Sequence, residues 1–193
     1  SNSNVYAVLE DRDGTIWVGT AAGLDRYLGS GNRFAHYVPP AVVGGEHKLM
    51  SLAQDRSGFL WLGSFGAGLQ RLDPSSGRFV SYRHRPQDPG SLSSDDVREA
   101  YEDTQGRLWV GTVEGLNLLD REAGTFHRYL HKRDDPRSIA DHFVMAIAED
   151  RSGLIWVGTK SGGVSRWNPR SWSLGPHAPD WFGGGEILTA FAD

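Results

Sequence analysis

The sequence predicts an all-β protein, a β-propeller made of four-stranded antiparallel blades, with four repeats plus the first strand of a fifth. Three observations predict it. The segment DRDGTIWVGT from Asp11 returns as DRSGFLWLGS from Asp55, DTQGRLWVGT from Asp103 and DRSGLIWVGT from Asp150. The tryptophans of these segments, Trp17, Trp61, Trp109 and Trp156, lie 44, 48 and 47 residues apart, the span of one blade. The composition, with 25 Gly and seven Trp in 193 residues, suits many tight turns around a layered apolar interior.

Within the first copy, strands are expected at about 5–10, 15–20, 24–28 and 34–38. Asp11-Arg12-Asp13-Gly14 joins the first two, since Gly takes the positive φ of a hairpin turn. In the second strand, alternation puts Ile16 and Val18 on one face and Trp17 and Gly19 on the other. Both faces are apolar or small, which suits a sheet covered on both sides. The Gly two residues after each Trp (Gly19, Gly63, Gly111 and Gly158) lets a neighbouring sheet approach over the indole.

A third strand opens at Gly23-Leu24, Gly68-Leu69, Gly115-Leu116 and Gly163-Val164. Three copies then carry Phe-x-x-Tyr, at Phe34/Tyr37, Phe79/Tyr82 and Phe126/Tyr129. The four blades are expected at about 4–38, 48–83, 96–130 and 143–175, as one repeat array over 1–193. ILTAFAD, from Ile187 to Asp193, aligns with VYAVLED of the first copy and supplies an extra strand over 187–192. In the fourth copy Leu174-Gly175-Pro176-His177 replaces Phe-x-x-Tyr. Pro176 and Pro179 lack the N–H of a central strand, so the outermost strand there is expected to be weak or absent.

The net charge of −4 argues against nucleic acid as a partner. Without cysteine there is no disulfide, thiolate metal site or cysteine nucleophile. No apolar run approaches the roughly 20 residues of a membrane span. Ser1-Asn2-Ser3-Asn4 has neither the basic stretch nor the apolar core of a signal peptide, so any leader or membrane span of the natural protein would lie outside this sequence.

The recurrent Asp and Trp admit two readings: calcium and sugar sites, or parts of every blade. Residues repeated in each copy solve a problem that each copy shares, so Asp11, Trp17, Gly19, Asp55, Trp61, Gly63, Asp103, Trp109, Gly111, Asp150, Trp156 and Gly158 are read as structural. Asp11-x-Asp13 begins like a calcium loop, but the later copies have Ser57, Gln105 and Ser152 in place of the second Asp, and no Glu closes the loop. No metal or cofactor is expected. The sialidase Asp-box is also out of register: Asp stands six residues before Trp17, not five. Nothing among the 24 acidic residues singles out a catalytic pair, and the chain is expected to be non-catalytic.

Connections between copies differ from one another and so carry more information. Topology places the loops after strands two and four at the same end of each sheet. They hold Arg83-His84-Arg85, His131-Lys132-Arg133, Glu114 and Lys160, the candidate binding residues, which would attract an anionic ligand or an acidic surface. The alternative is that these charges are solvated or paired with Asp88, Asp134 and Asp135. His84 and His131 sit at equivalent positions, which favours a structural role in their blades. Trp172, Trp181 and Phe182 fall outside the repeat; they either stack on a sugar or dock a chain, for which Trp181 joins the candidate set, or fold back over the fourth blade.

The string E-D-x-x-G-x-[IL]-W-[VL]-G-[TS]-x-x-G-[LV], followed by F-x-x-Y and D-P-x-S-[LI], resembles the two-component regulator propeller repeat over essentially the whole chain. The resemblance implies a periplasmic sensor region of a bacterial signalling protein, with a downstream kinase or cyclase output domain. Some similar proteins sense oligosaccharides, so a saccharide is one implied ligand. Such regions carry more repeats than four, which implies a longer parent protein or a second copy that completes a ring. The third option is that the C-terminal strand displaces the N-terminal one and closes a four-bladed ring. Self-association is the expectation, because an open blade face is apolar. An interaction scaffold and a polysaccharide-acting propeller enzyme stand as alternatives.

Overall fold

The computed structural model describes residues 4–29, 31–39, 48–168 and 173–177. The strand expected at 187–192, with Trp172, Trp181 and Phe182, lies outside the described residues. The first sheet is β1 (Val5–Glu10), β2 (Ile16–Thr20), β3 (Gly23–Tyr27) and β4 (Phe34–Tyr37). The second is β5 (Leu49–Gln54), β6 (Leu60–Ser64), β7 (Gly68–Asp73) and β8 (Arg78–Tyr82). β9 (Val97–Glu102), β10 (Leu108–Thr112), β11 (Gly115–Asp120) and β12 (Thr125–Tyr129) form the third. β13 (Val144–Glu149), β14 (Ile155–Thr159), β15 (Val164–Asn168) and β16 (Ser173–His177) form the fourth. Each sheet runs in chain order, so every copy of the repeat is a four-stranded meander, the propeller blade.

The chain divides into two compact units, Ser1–Arg83 with Asp95–Ala100, and His84–Ser94 with Tyr101–Asp193. Trp17, Leu24, Leu49, Leu60, Leu62 and Leu72 form a core in the first. In the second, Trp109, Leu116, Ile139, Val144, Ile147, Ile155, Val157 and Trp167 do so.

One turn is built four times. Asp11 Oδ1 accepts from the backbone N–H of Asp13 (3.0 Å) and Thr15 (2.9 Å), and Oδ2 accepts from the Trp17 indole at 2.7 Å. Gly14, at φ 76°, closes the turn by donating to the Asp11 carbonyl. Asp55, Asp103 and Asp150 repeat the arrangement, with indole bonds of 2.8, 2.8 and 2.7 Å from Trp61, Trp109 and Trp156. The six-residue offset between Asp and Trp therefore spans one hairpin. Burial works to raise the Asp150 carboxyl, but the bonds from Ser152, Trp156 and Leu154 outweigh it and hold it at about 2.

Blades of one unit meet by a residue set over a glycine. A Cβ on Gly19 would stand 3.0 Å from Leu49 Cβ, and on Gly63 2.9 Å from Val97 Cγ1. In the second unit, a Cβ on Gly111 would stand 2.5 Å from Val144 Cγ1. The inserted residue is each time the first of the next blade's first strand, just before a β-bulge where the register is given for β5 and β13. Val5 has the same place in β1, yet is 53% exposed where Leu49 and Val144 are 0%. Tyr6 and Val8 beside it are 38% and 64% exposed, so this blade face is open among the described residues.

A second repeated feature has no fixed residue type. The third residue of β3, β7 and β11, and the second of β15, are Asp25, Gln70, Asn117 and Ser165, all buried. Asn117 Oδ1 accepts from the Ser93 backbone N–H at 2.9 Å, and Ser165 Oγ from that of Ala140 at 2.8 Å. Each thus holds the segment that leads into its own blade. Asp25 pairs with His36 at 2.6 Å, and Gln70 with Ser81 at 2.5 Å.

The expectation of a weak or missing outermost strand in the fourth copy is corrected by β16, which pairs with β15 from Asn168↔Ser173 to Val164↔His177. Pro176 is tolerated because β16 is the edge of its sheet, where a missing N–H interrupts no further ladder.

Candidate functional site

The loops after the second and fourth strands are bonded to each other within each unit. In the first, the β6–β7 turn meets the segment before β9: Gly66 N donates to Asp96 Oδ1 at 2.7 Å, and Gly68 N to the Asp95 carbonyl at 2.8 Å. Arg83 lies here. It makes two hydrogen bonds to Asp95, at 2.9 and 2.7 Å, and a third to the Gly66 carbonyl. Hydrogen bonding to Asp95 raises the Arg83 pKa further, so this guanidinium serves as a loop tie.

In the second unit the connection into β9 is folded on itself. His84 Nδ1 contacts the Leu92 carbonyl at 2.7 Å, Arg85 N donates to Ser91 Oγ, and Ser91 N donates to the Asp88 carbonyl. The connection into β13 repeats this: His131 Nδ1 to the Ile139 carbonyl at 2.8 Å, and Lys132 N to Ser138 Oγ at 2.9 Å. The D-P-x-S-[LI] string is therefore a loop fold, and the two histidines are its anchors. Glu114 is exposed on the β10–β11 turn, with its N–H on Thr112 Oγ1. The Lys160 N–H donates to the Phe143 carbonyl, which joins the β14–β15 turn to the connection that carries His131, Lys132 and Arg133.

Of the candidate cations, Arg85, Lys132, Arg133 and Lys160 are exposed. Arg85 makes a loose pair with Asp88 at 3.3 Å, and Lys160 stands 5.1 Å above the Phe143 ring. Lys132 lines an open cleft of about 280 Å³ with Arg128, Asp135 and Arg137. The Arg137 backbone bond, against the opposing effect of burial and helped by the Arg137 side chain and the Lys132 charge, holds Asp135 below its ordinary value. Trp181 lies outside the described residues.

Arg128 was not legible as a site residue. Its guanidinium donates to the carbonyls of Asp88 (2.8 Å), Ser91 (2.7 Å) and Leu92 (2.9 Å) and to Ser91 Oγ (2.7 Å), which fixes the connection into β9. The only signal was its position, cross-strand from the buried Asn117, where the other blades carry His36 and Ser81.

Among known families, the two component regulator propeller model matches residues 1–22, 91–114 and 138–161. These segments cover the first hairpin of the first, third and fourth blades. Three of the four copies thus carry a segment that matches the two component regulator propeller repeat.

Solved structures share the fold. The chain of propeller repeats superposes at TM-score 0.77 and 26% identity on the extracellular domain of BT3049 from B. thetaiotaomicron, assigned to a hybrid two component system. The match covers 92% of this chain and 25% of that one. The extracellular domain of BT4673 from the same organism gives TM-score 0.74 at 23% identity, over 92% and 22% of the two chains. The propeller repeats thus span about a quarter of the length of these domains. Virginiamycin B lyase from Staphylococcus aureus shares the fold, at TM-score 0.72 and 14% identity over 95% and 59%. No curated protein matches the sequence.

Proposed function

We propose that this chain is a non-catalytic ligand-sensing module of a bacterial signal-transduction protein, working outside the cytoplasm ahead of a kinase or cyclase output domain. The observation that carries the reading is the likeness to an extracellular domain assigned to a hybrid two component system. The ligand is an anionic molecule, such as an acidic oligosaccharide. It binds at the end of the sheets where Lys132, Arg133 and Lys160 extend from loops held rigid by His131, Ser138 and Phe143. Rigid loops suit recognition, because little ordering entropy opposes binding.

A panel of acidic and neutral oligosaccharides, followed by thermal melting, tests this. An acidic member is expected to raise Tm by several degrees at saturation, and K132A/R133A to abolish the rise. Steady turnover of the saccharide, or a rise that survives the double substitution, would overturn the reading.

A second reading concerns assembly and rests on the open face of β1. Val5, Tyr6 and Val8 present the surface that is covered at each described blade junction, and a second copy of the chain covers it. Light scattering behind a sizing column is expected to give the mass of two chains, and Val8→Asp the mass of one. A sharp monomer for the unsubstituted chain would remove self-association from the account.

A further inference from the structure

The first hairpin turn of each unit is bonded to the next blade in the same way. Arg12 N donates to Gln54 Oε1 at 2.9 Å in the first unit, and Thr104 N to Glu149 Oε2 at 2.7 Å in the second. Arg12 and Thr104 each follow the turn Asp, and Gln54 and Glu149 each end a first strand, so the two junctions are equivalent.

They are filled differently. In the second unit Arg107 Nε donates to Asp103 Oδ2 at 2.6 Å, and its guanidinium stands 4.6 Å from the Trp167 ring. That oxygen also takes the Trp109 indole, so it holds a cation and a ring N–H together. In the first unit the position of Arg107 is Thr15, four residues after the turn Asp. The position of Trp167 is Leu72, since Leu60 pairs with Leu72 as Ile155 pairs with Trp167. Both replacements are smaller, and Thr15 lines a cleft of about 680 Å³ that stands open there. Its volume is in the range of small-molecule sites.

The lining states what would fit. Three carboxylates reach it, Asp11, Asp13 and Asp73, against one guanidinium, Arg26. Asp73 is held at about 2, chiefly by the hydroxyls of Ser75 and Ser76, and so stays ionised. Arg26 lies 5.6 Å from the Trp17 ring, and its Nε is buried without a hydrogen-bond partner. An anion is repelled by the net charge, and a simple metal cation meets the Arg26 charge with no acceptor to offer it. A cation that also carries an acceptor satisfies both.

We infer that this cleft binds a guanidinium-bearing ligand, either free arginine or an arginine side chain of a peptide, whose cation sits on Asp11 as Arg107 sits on Asp103 and whose carbonyl or carboxylate oxygen accepts from Arg26. The site is formed by turns after the first and third strands of its sheets, not by the loops after the second and fourth. It goes beyond the sensing reading and stands or falls separately from it.

Calorimetric titration with L-arginine, N-acetyl-arginine amide and L-citrulline tests the inference. Citrulline keeps the shape and loses the charge. Saturable binding of at least one arginine compound is expected, with citrulline at least roughly tenfold weaker, the order of one charge-assisted hydrogen bond. Tighter binding of the free amino acid marks a small-molecule site, and tighter binding of the amide a peptide site. Thr15→Arg supplies the plug that the second unit already has and is expected to abolish binding, with its fold checked by circular dichroism. Should that variant misfold, Asp13→Asn at an exposed position is expected to weaken binding several-fold. Citrulline equal to arginine, no saturable binding of either arginine compound, or binding untouched by Thr15→Arg or, in its stead, Asp13→Asn would overturn it.

Discussion

Trp109→Ala is expected to cost about 3–5 kcal/mol of stability, the range for removing a large buried aromatic from a core. The side chain is fully buried and packs edge-on to Trp167 at 4.8 Å and beside Tyr129 at 6.0 Å. Its loss also strips the indole N–H from Asp103, a carboxylate that is itself buried. That oxygen keeps Arg107 Nε as a donor, so the lost indole bond adds only modestly to the cavity cost. Trp156 makes the same bond to Asp150 but is only partly buried, so Trp156→Ala should cost less than half as much. Urea denaturation of the two variants, followed by circular dichroism, gives the comparison. Equal midpoints would show that the indole bond, and not the packing around it, dominates each turn.

A second large effect is expected from Glu99 in β9. Burial lifts its carboxyl to about 7, opposed only in part by the Arg98 charge. The native state therefore holds this proton more tightly than the unfolded chain does. Stability from this group is complete below its unfolded value near 4.5 and is lost as pH rises through 7, by up to about 3 kcal/mol. Asp150 works in the opposite direction and elsewhere on the scale. Held at about 2, it stabilises above its unfolded value and loses that contribution as pH falls from about 4 toward 2. The windows do not overlap, so the fall between pH 5 and 8 is assignable. Glu99→Gln should flatten it, measured as the difference in urea midpoint at the two pH values. An unchanged difference would place the titration on another group.

The blade was legible because its signals are local. Asp11 and Trp17 are six residues apart and their bond spans a single turn, so a repeat read along the chain reports the contact directly. Strands expected at 15–20 and 24–28 are found at Ile16–Thr20 and Gly23–Tyr27. The binding surface was less legible, because a loop charge acquires its role from what folding sets beside it. Arg83 and Arg85 are near neighbours in sequence; one is fixed to Asp95 by two hydrogen bonds and the other is largely solvated. Arg128 resembles any surface arginine until three carbonyls converge on it. The buried series Asp25, Gln70, Asn117 and Ser165 escaped notice since its members share polarity and position but no residue type. Thr15 gained meaning only from the cleft it lines together with Asp73 of the next blade, which no period along the chain reveals.

The glycine junction has a consequence for how such a protein changes over generations. Gly19 receives Leu49, Gly63 receives Val97 and Gly111 receives Val144, so successive interfaces use one fitting. A duplication or loss of one whole repeat would recreate that fitting at the new boundary, whereas a break inside a repeat would destroy a hairpin. Length can therefore drift in units of one blade without redesign of any contact. Individual copies stay free to diverge at the positions outside the fitting, as Thr15 and Arg107 have done.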